Sequence, residues 1–139
     1  MSTGERVAEV EIRVPFHDLD PVGIVWHGNY AKYFEIARCA LLDSFDYGYD
    51  RMRESGYLWP VIDLQIRYVR PANFTQLLKV RATLVEWEHR LLIDYLIRDA
   101  VTSERLTKGR TSQVAVIVAT NEMLLASPDV LFERLGLSR

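Results

Sequence analysis

The chain has 139 residues, 49% hydrophobic and 26% charged, with 17 Lys and Arg against 19 Asp and Glu for a formal net charge of -2. That length fits one domain, 1-139, able to bury a proper core, and that charge balance excludes a protein built mainly to coat nucleic acid. The lone Cys39 has no internal disulfide partner, no apolar run reaches bilayer length and the N-terminus carries no apolar signal core, so a cytoplasmic protein with no membrane span is expected.

From Val10 to Phe16 apolar and polar residues nearly alternate, which predicts a half-buried strand ending near Pro15. The Asp-Pro and Val-Gly pairs that follow mark a turn. From Asn29 to Phe45 the period changes. Tyr30, Tyr33, Phe34, Ala37, Leu41, Leu42 and Phe45 recur at helical spacing, leaving Lys32, Arg38 and Asp43 toward water. Asn29 or the residue before it can cap this principal helix, and Cys39 sits within it as a small packed residue. Tyr47 to Gly56 reads as a short irregular or helical connection.

Strands follow at Val61–Tyr68, at Leu78–Leu84 and at Leu91–Ile97, with turns near Trp87 to Arg90 and Thr102 to Arg105. The run Val114 to Ala119 is apolar on both parities and predicts a central strand covered on both faces. Arg105, Lys108 and Arg110 read as a basic group on a solvated turn, or as a contact for phosphates. Ser127-Pro128-Asp129 reads as N-cap, N1 proline and acidic first turn of a short C-terminal helix. Short connections make the strands antiparallel neighbours, so the fold class is α+β: a curved antiparallel sheet around one long helix.

The chemistry concentrates between Asp18 and Tyr30. Two carboxylates, a glycine turn and a helix start fall within one short segment. A carboxylate beside a helix N-terminus suits acyl transfer: the side chain attacks or activates water while free N–H groups stabilise the oxyanion. Asp20 before Pro21 also suits an ordinary turn, and Asp18 reads as a structural residue that bonds turn amides. His17, Asp18, Asp20 and His27 match no standard metal-ligand spacing, so no metal is expected. Trp26, Tyr30, Tyr33, Tyr57 and Trp59 serve as core residues or as walls of an acyl pocket. Glu35 and Arg38, three apart, form a surface pair, or Glu35 faces the pocket two turns beyond His27.

Asp18, Asp20, Gly23, Val25 and Tyr30, then Tyr33, Phe34, Glu35, Ala37 and Arg38, and downstream Arg67, Tyr68, Pro71 and Ala72, give the chain its family likeness. It resembles the hotdog-fold acyl-CoA thioesterases, and more narrowly the 4-hydroxybenzoyl-CoA thioesterase family and its short-chain acyl-CoA branch. The resemblance implies a thioesterase that releases a carboxylic acid and free CoA. Asp20 would be nucleophile or general base, and the amide at His27 the oxyanion site. Arg90 would be the charged match to a CoA-binding cluster near Glu88 and His89, and it joins Gly28, Tyr30, Glu35 and Trp59, read from the residues themselves, as the candidate substrate contacts. It implies no cofactor beyond the CoA of the substrate and a homodimer or homotetramer with its site between subunits. An acyl-carrier-protein thioesterase and a non-catalytic acyl-thioester binding protein are the alternatives.

Overall fold

The computed structural model describes residues 6–139. Strand β1 (Arg6–Arg13) leads through a 3-10 turn (Phe16–Asp18) and an extended loop to helix α1 (Asn29–Ser44). Helix α2 (Tyr49–Glu54) and strand β2 (Tyr57–Leu58) precede β3 (Val61–Tyr68), β4 (Leu77–Glu86), β5 (Leu91–Asp99) and β6 (Arg105–Gln113). Two short strands, β7 (Val116–Ile117) and β8 (Glu122–Met123), and helix α3 (Asp129–Leu135) complete the chain. The main sheet is antiparallel in the order β1-β4-β5-β6-β3, and β2, β7 and β8 form a small second sheet. Among the described residues no helix is long and apolar enough to cross a membrane.

Alternation builds this sheet. Leu78, Val80, Ala82 and Leu84 of β4 and Leu91, Ile93, Tyr95 and Ile97 of β5 are buried. They meet the face of α1 that carries Tyr33, Phe34, Ala37, Leu41 and Leu42. Phe34 stacks on Tyr95, with ring centroids 4.5 Å apart and planes 12° from parallel. That contact needs Gly109 on the neighbouring strand, because a Cβ there would stand 2.2 Å from the Phe34 ring and 2.9 Å from the Gln65 carbonyl oxygen.

Several sequence expectations need correction. The central strand beside β5 is Arg105–Gln113, not Val114–Ala119, which supplies only the two-residue β7. The helix-side positions of β6 are Thr107, Gly109 and Thr111, small or polar residues that give no hydrophobic alternation. Arg105, Lys108 and Arg110 therefore lie on a strand rather than a turn. Strand β1 starts earlier than Val10 and stops at Arg13, and Phe16 stands exposed in the 3-10 turn against Phe74. Arg38 points inward: its Nε donates to Tyr49 Oη at 2.8 Å and a terminal nitrogen donates to Tyr95 Oη at 3.2 Å. Pro128, not Ser127, occupies the N-cap of α3, with no side-chain cap.

Gly109→Ala is expected to lower stability by about 1–3 kcal/mol through overpacking against Phe34. Urea unfolding measures it, and a loss of m-value instead of midpoint would point elsewhere.

Candidate active site

The segment before α1 is held by a tight turn. Gly23 donates its N–H to Asp20 O at 3.0 Å, and Gly23 has φ 91°. Asp at the first position, Pro at the second and Gly at the fourth are the residues a type I turn favours. Two bridges, Leu19 with Val25 and Ile24 with Asn73, pin the turn to the body of the fold.

The two carboxylates have different work. Asp18 is buried and accepts from Lys32 Nζ at 2.6 Å and from Tyr33 Oη at 2.6 Å. Its backbone oxygen accepts from Trp26 N and Asn29 Nδ2, both at 2.9 Å. Asp18 is thus structural, bonding helix side chains rather than the turn amides the sequence suggested. Burial pushes its carboxyl up, but the hydrogen bonds from Lys32 and Tyr33 outweigh it and hold the carboxyl below its ordinary value. Burial and then the Asp18 carboxylate push the Tyr33 hydroxyl up.

The turn amides belong to Asp20. Its Oδ1 accepts from Val22 N at 2.9 Å and, more weakly, from Ile24 N at 3.4 Å. Its Oδ2 has no hydrogen-bond donor among the described residues. Asp20 borders a depression of about 350 Å³ shared with Val25, His27, Tyr30, Tyr68 and Val69. Two residues proposed as catalytic, Asp20 and His27, and one proposed as substrate-binding, Tyr30, therefore meet in one place.

At the helix start Gly28 takes the N-cap position without a side-chain cap, and the first turn of α1 holds no acidic residue to neutralise the positive end of the helix dipole. Among the described residues nothing accepts a hydrogen bond from the N–H of His27 or Gly28. Gly28 lets the half-exposed Trp26 ring lie over the helix start, since a Cβ there would push the ring aside. Tyr68 Oη donates to His27 O at 2.8 Å, tying the helix entrance to the end of β3. Tyr30 Oη accepts from Ala72 N at 3.1 Å, a second tie to the chain that follows β3.

The other sequence candidates lie elsewhere in the protomer. Glu35 is exposed, 3.7 Å from Arg38, and borders a separate depression with Lys32, Val61 and Leu64. Trp59 is buried among core residues, its indole N–H donating to Tyr47 Oη at 3.2 Å. Arg90 lies at the β4–β5 hairpin against Glu86, 3.5 Å away. Sequence reasoning missed Tyr68 as a site residue, although its parity on β3 with Leu64 and Ile66 already placed it on the helix side. No three His, Cys, Asp or Glu side chains gather into a metal-binding group among the described residues.

Comparison with known families decides the relationship. The model of the thioesterase-like superfamily matches residues 14–133. The chain belongs to that superfamily. Within this thioesterase-like superfamily, YneP of Bacillus subtilis, which carries the provisional name of an acyl-CoA thioesterase, is 36% identical over 69 residues, half of this chain and only half of that protein's length. The DHNA-CoA thioesterase of Staphylococcus aureus superposes with a TM-score of 0.78 at 26% identity, over 86% of this chain and 80% of the other. The 1,4-dihydroxy-2-naphthoyl-CoA thioesterase of Synechocystis shares the fold, with a TM-score of 0.83 at 20% identity over 94% and 96% of the two chains.

Because the folded Asp18 carboxyl sits below its unfolded value, about 3.9, its contribution to stability is complete above that pH and is lost as pH falls through the folded value. Asp18→Asn should lower stability at neutral pH by about 1–3 kcal/mol, since Lys32 and Tyr33 lose their charged acceptor. Urea unfolding across about pH 3 to 7 should show its acid limb flattened relative to the parent.

Proposed function

We propose that this protein is an acyl-CoA thioesterase of the 4-hydroxybenzoyl-CoA thioesterase family, in its short-chain acyl-CoA branch, releasing a carboxylic acid and free CoA. One observation carries the reading: Asp20, whose Oδ2 accepts no hydrogen bond among the described residues, borders the same depression as His27, and the N–H groups of His27 and Gly28 at the helix entrance meet no acceptor among those residues. A thioester carbonyl seated there meets a carboxylate on one side and hydrogen-bond donors at the positive end of a helix on the other.

Two chemical courses fit. In the first, Asp20 attacks the thioester carbon, negative charge gathers on the carbonyl oxygen against the helix N–H groups, and collapse expels the CoA thiolate, which takes a proton. Water then cleaves the resulting anhydride and restores the carboxylate. In the second, Asp20 removes a proton from the water that attacks. Neither course needs a metal or redox cofactor. The His27 imidazole, exposed beside Trp26 and Tyr68, stands where it can orient substrate or water.

The remaining substrate contacts, Glu35, Trp59 and Arg90, lie apart from Asp20 in one protomer. A homodimer, or a dimer of dimers, with its site between subunits reconciles this separation, because such residues can then reach the site of a neighbouring copy.

Asp20→Asn tests the reading cleanly, since the amide oxygen still accepts from Val22 N–H and keeps the turn. Steady-state hydrolysis of a panel of acyl-CoA and acyl-carrier thioesters should fall by about 10²–10⁴-fold in this variant, with its melting temperature nearly unchanged. Undiminished hydrolysis would remove Asp20 from the chemistry. Absence of turnover by the parent on every thioester would leave a binding protein.

A further inference from the structure

The buried tyrosines of this fold spend their hydroxyl protons, with one exception. Tyr33 Oη donates to Asp18 at 2.6 Å, and Tyr95 Oη shares a bond of 2.7 Å with Thr111 Oγ1. Tyr47 Oη lies 2.9 Å from Ser55 Oγ, which gives its own proton to Met52 O, so the proton between them is Tyr47's. Tyr30 differs. It is 2% exposed and its Oη accepts from Ala72 N at 3.1 Å, yet its O–H meets no acceptor among the described residues. A hydroxyl has one donor and two acceptor positions, so the bond from Ala72 leaves the proton unspent. Burying a donor without an acceptor is destabilising, and a native structure rarely keeps one without use.

The main chain clamps this hydroxyl beside the Asp20 turn. Ala72, whose N–H holds Tyr30 Oη, accepts on its own oxygen from Val25 N at 2.9 Å. The next pair along, Ile24 and Asn73, forms a bridge, and Ile24 O accepts from Asp20 N at 2.8 Å. Tyr30 and Asp20 thus border one depression and are fixed to the same two chain segments. Tyr68 stands edge-on to the Tyr30 ring, but its hydroxyl is committed to His27 O at 2.8 Å.

Asp20 supplies the complementary half. Val22 N–H and Ile24 N–H engage its Oδ1, and its Oδ2 accepts nothing among the described residues. A donor and an acceptor that border one depression, both unspent and not bonded to each other, are the two ends that a single water satisfies. That water accepts from Tyr30 O–H and donates to Asp20 Oδ2.

We propose that Tyr30 is the positioning residue for the hydrolytic water, which its O–H holds against Asp20 so that Asp20 acts as general base. This rests on the thioesterase reading above and selects the second of its two courses. Asp20 takes a proton from the water as the water oxygen bonds to the thioester carbon, and the carbonyl electron pair moves to the oxygen beside the His27 and Gly28 N–H groups. When that pair returns, the C–S bond breaks and its electrons leave with the CoA sulfur. The Asp20 carboxyl then hands its proton to that thiolate, and the acid departs with the water's oxygen. Tyr30 keeps its proton throughout. Burial above all holds its hydroxyl above the ordinary tyrosine value, with Tyr68 and Asp20 adding to the effect and the bond from Ala72 opposing it.

Tyr30→Phe removes the hydroxyl and keeps the ring. On the acyl-CoA that the parent hydrolyses fastest, kcat should fall by about 10²-fold while KM stays within about twofold. Phe also deprives Ala72 N–H of its acceptor, so a second variant separates donor from acceptor. A difluorotyrosine at position 30, with both fluorines beside the hydroxyl, keeps the oxygen for Ala72 and makes the phenol a stronger acid. Its kcat should fall on the alkaline side at a lower pH than the parent's, as the phenol loses the donor, which a structural role would not produce. Rapid quenching of Tyr30→Phe during turnover, followed by peptide mass analysis, should show Asp20 unmodified. Undiminished kcat in Tyr30→Phe, a loss confined to KM, an unmoved pH profile in the fluorinated variant, or an acyl group caught on Asp20 would overturn the proposal. Each of those results leaves a parent that hydrolyses thioesters, and Asp20→Asn still tests that reading; a parent with no turnover defeats both.

Discussion

The buried Asp18 carboxylate is the constraint from which the candidate site hangs. It joins the 3-10 turn after β1 to the first two turns of α1 through Lys32 and Tyr33, while its own carbonyl takes Trp26 and Asn29. A loop of ten residues between those anchors has little freedom left. Asp18, together with the Leu19–Val25 and Ile24–Asn73 bridges, places the helix entrance and the Asp20 turn relative to each other. Its charge is tolerated in the interior because both oxygens are bonded, one of them to a cation.

Around that anchor the fold is an ordinary layered solution. The sheet supplies an apolar concave face, α1 fills it, and Gly109 lets the helix come close enough for Phe34 to lie flat on Tyr95. The same sheet ends in two unlike edges. Strand β1 sets Glu9 and Glu11 opposite Arg81 and Lys79 in register, and Glu9 pairs with Arg81 at 3.4 Å and Arg98 at 2.9 Å. On strand β3 Leu64 and Tyr68 are exposed, Asp63 accepts only from Gln65 at 3.2 Å, and Arg67 has no ion-pair partner among the described residues.

Much of this was legible in the sequence, for identifiable reasons. Helix α1 and strands β4 and β5 carry strong periodicity because each has one face buried against the same core. The division of Asp18 from Asp20 was legible in outline, but the partners of Asp18 were not. Lys32 and Tyr33 follow it by 14 and 15 residues in sequence, and only the packed loop brings them to it. Strand β6 was hidden because its helix-side positions are Thr107, Gly109 and Thr111, chosen for closeness rather than hydrophobicity. Arg38 was misplaced because a guanidinium on a helix normally reads as solvated, and its hydroxyl partners Tyr49 and Tyr95 lie on other elements.

The double engagement of Asp20 has a consequence for motion. The bond from Val22 N–H to its Oδ1 ties the orientation of the carboxylate to the turn that the Gly23 N–H closes. Orienting the carboxylate and forming the loop are therefore a single event, and no separate entropy is spent on aiming the side chain. Local opening of this hairpin erases the arrangement rather than loosening it. The fraction of molecules that hold this carboxylate orientation then follows the closed population of one small turn, a quantity set by backbone amides.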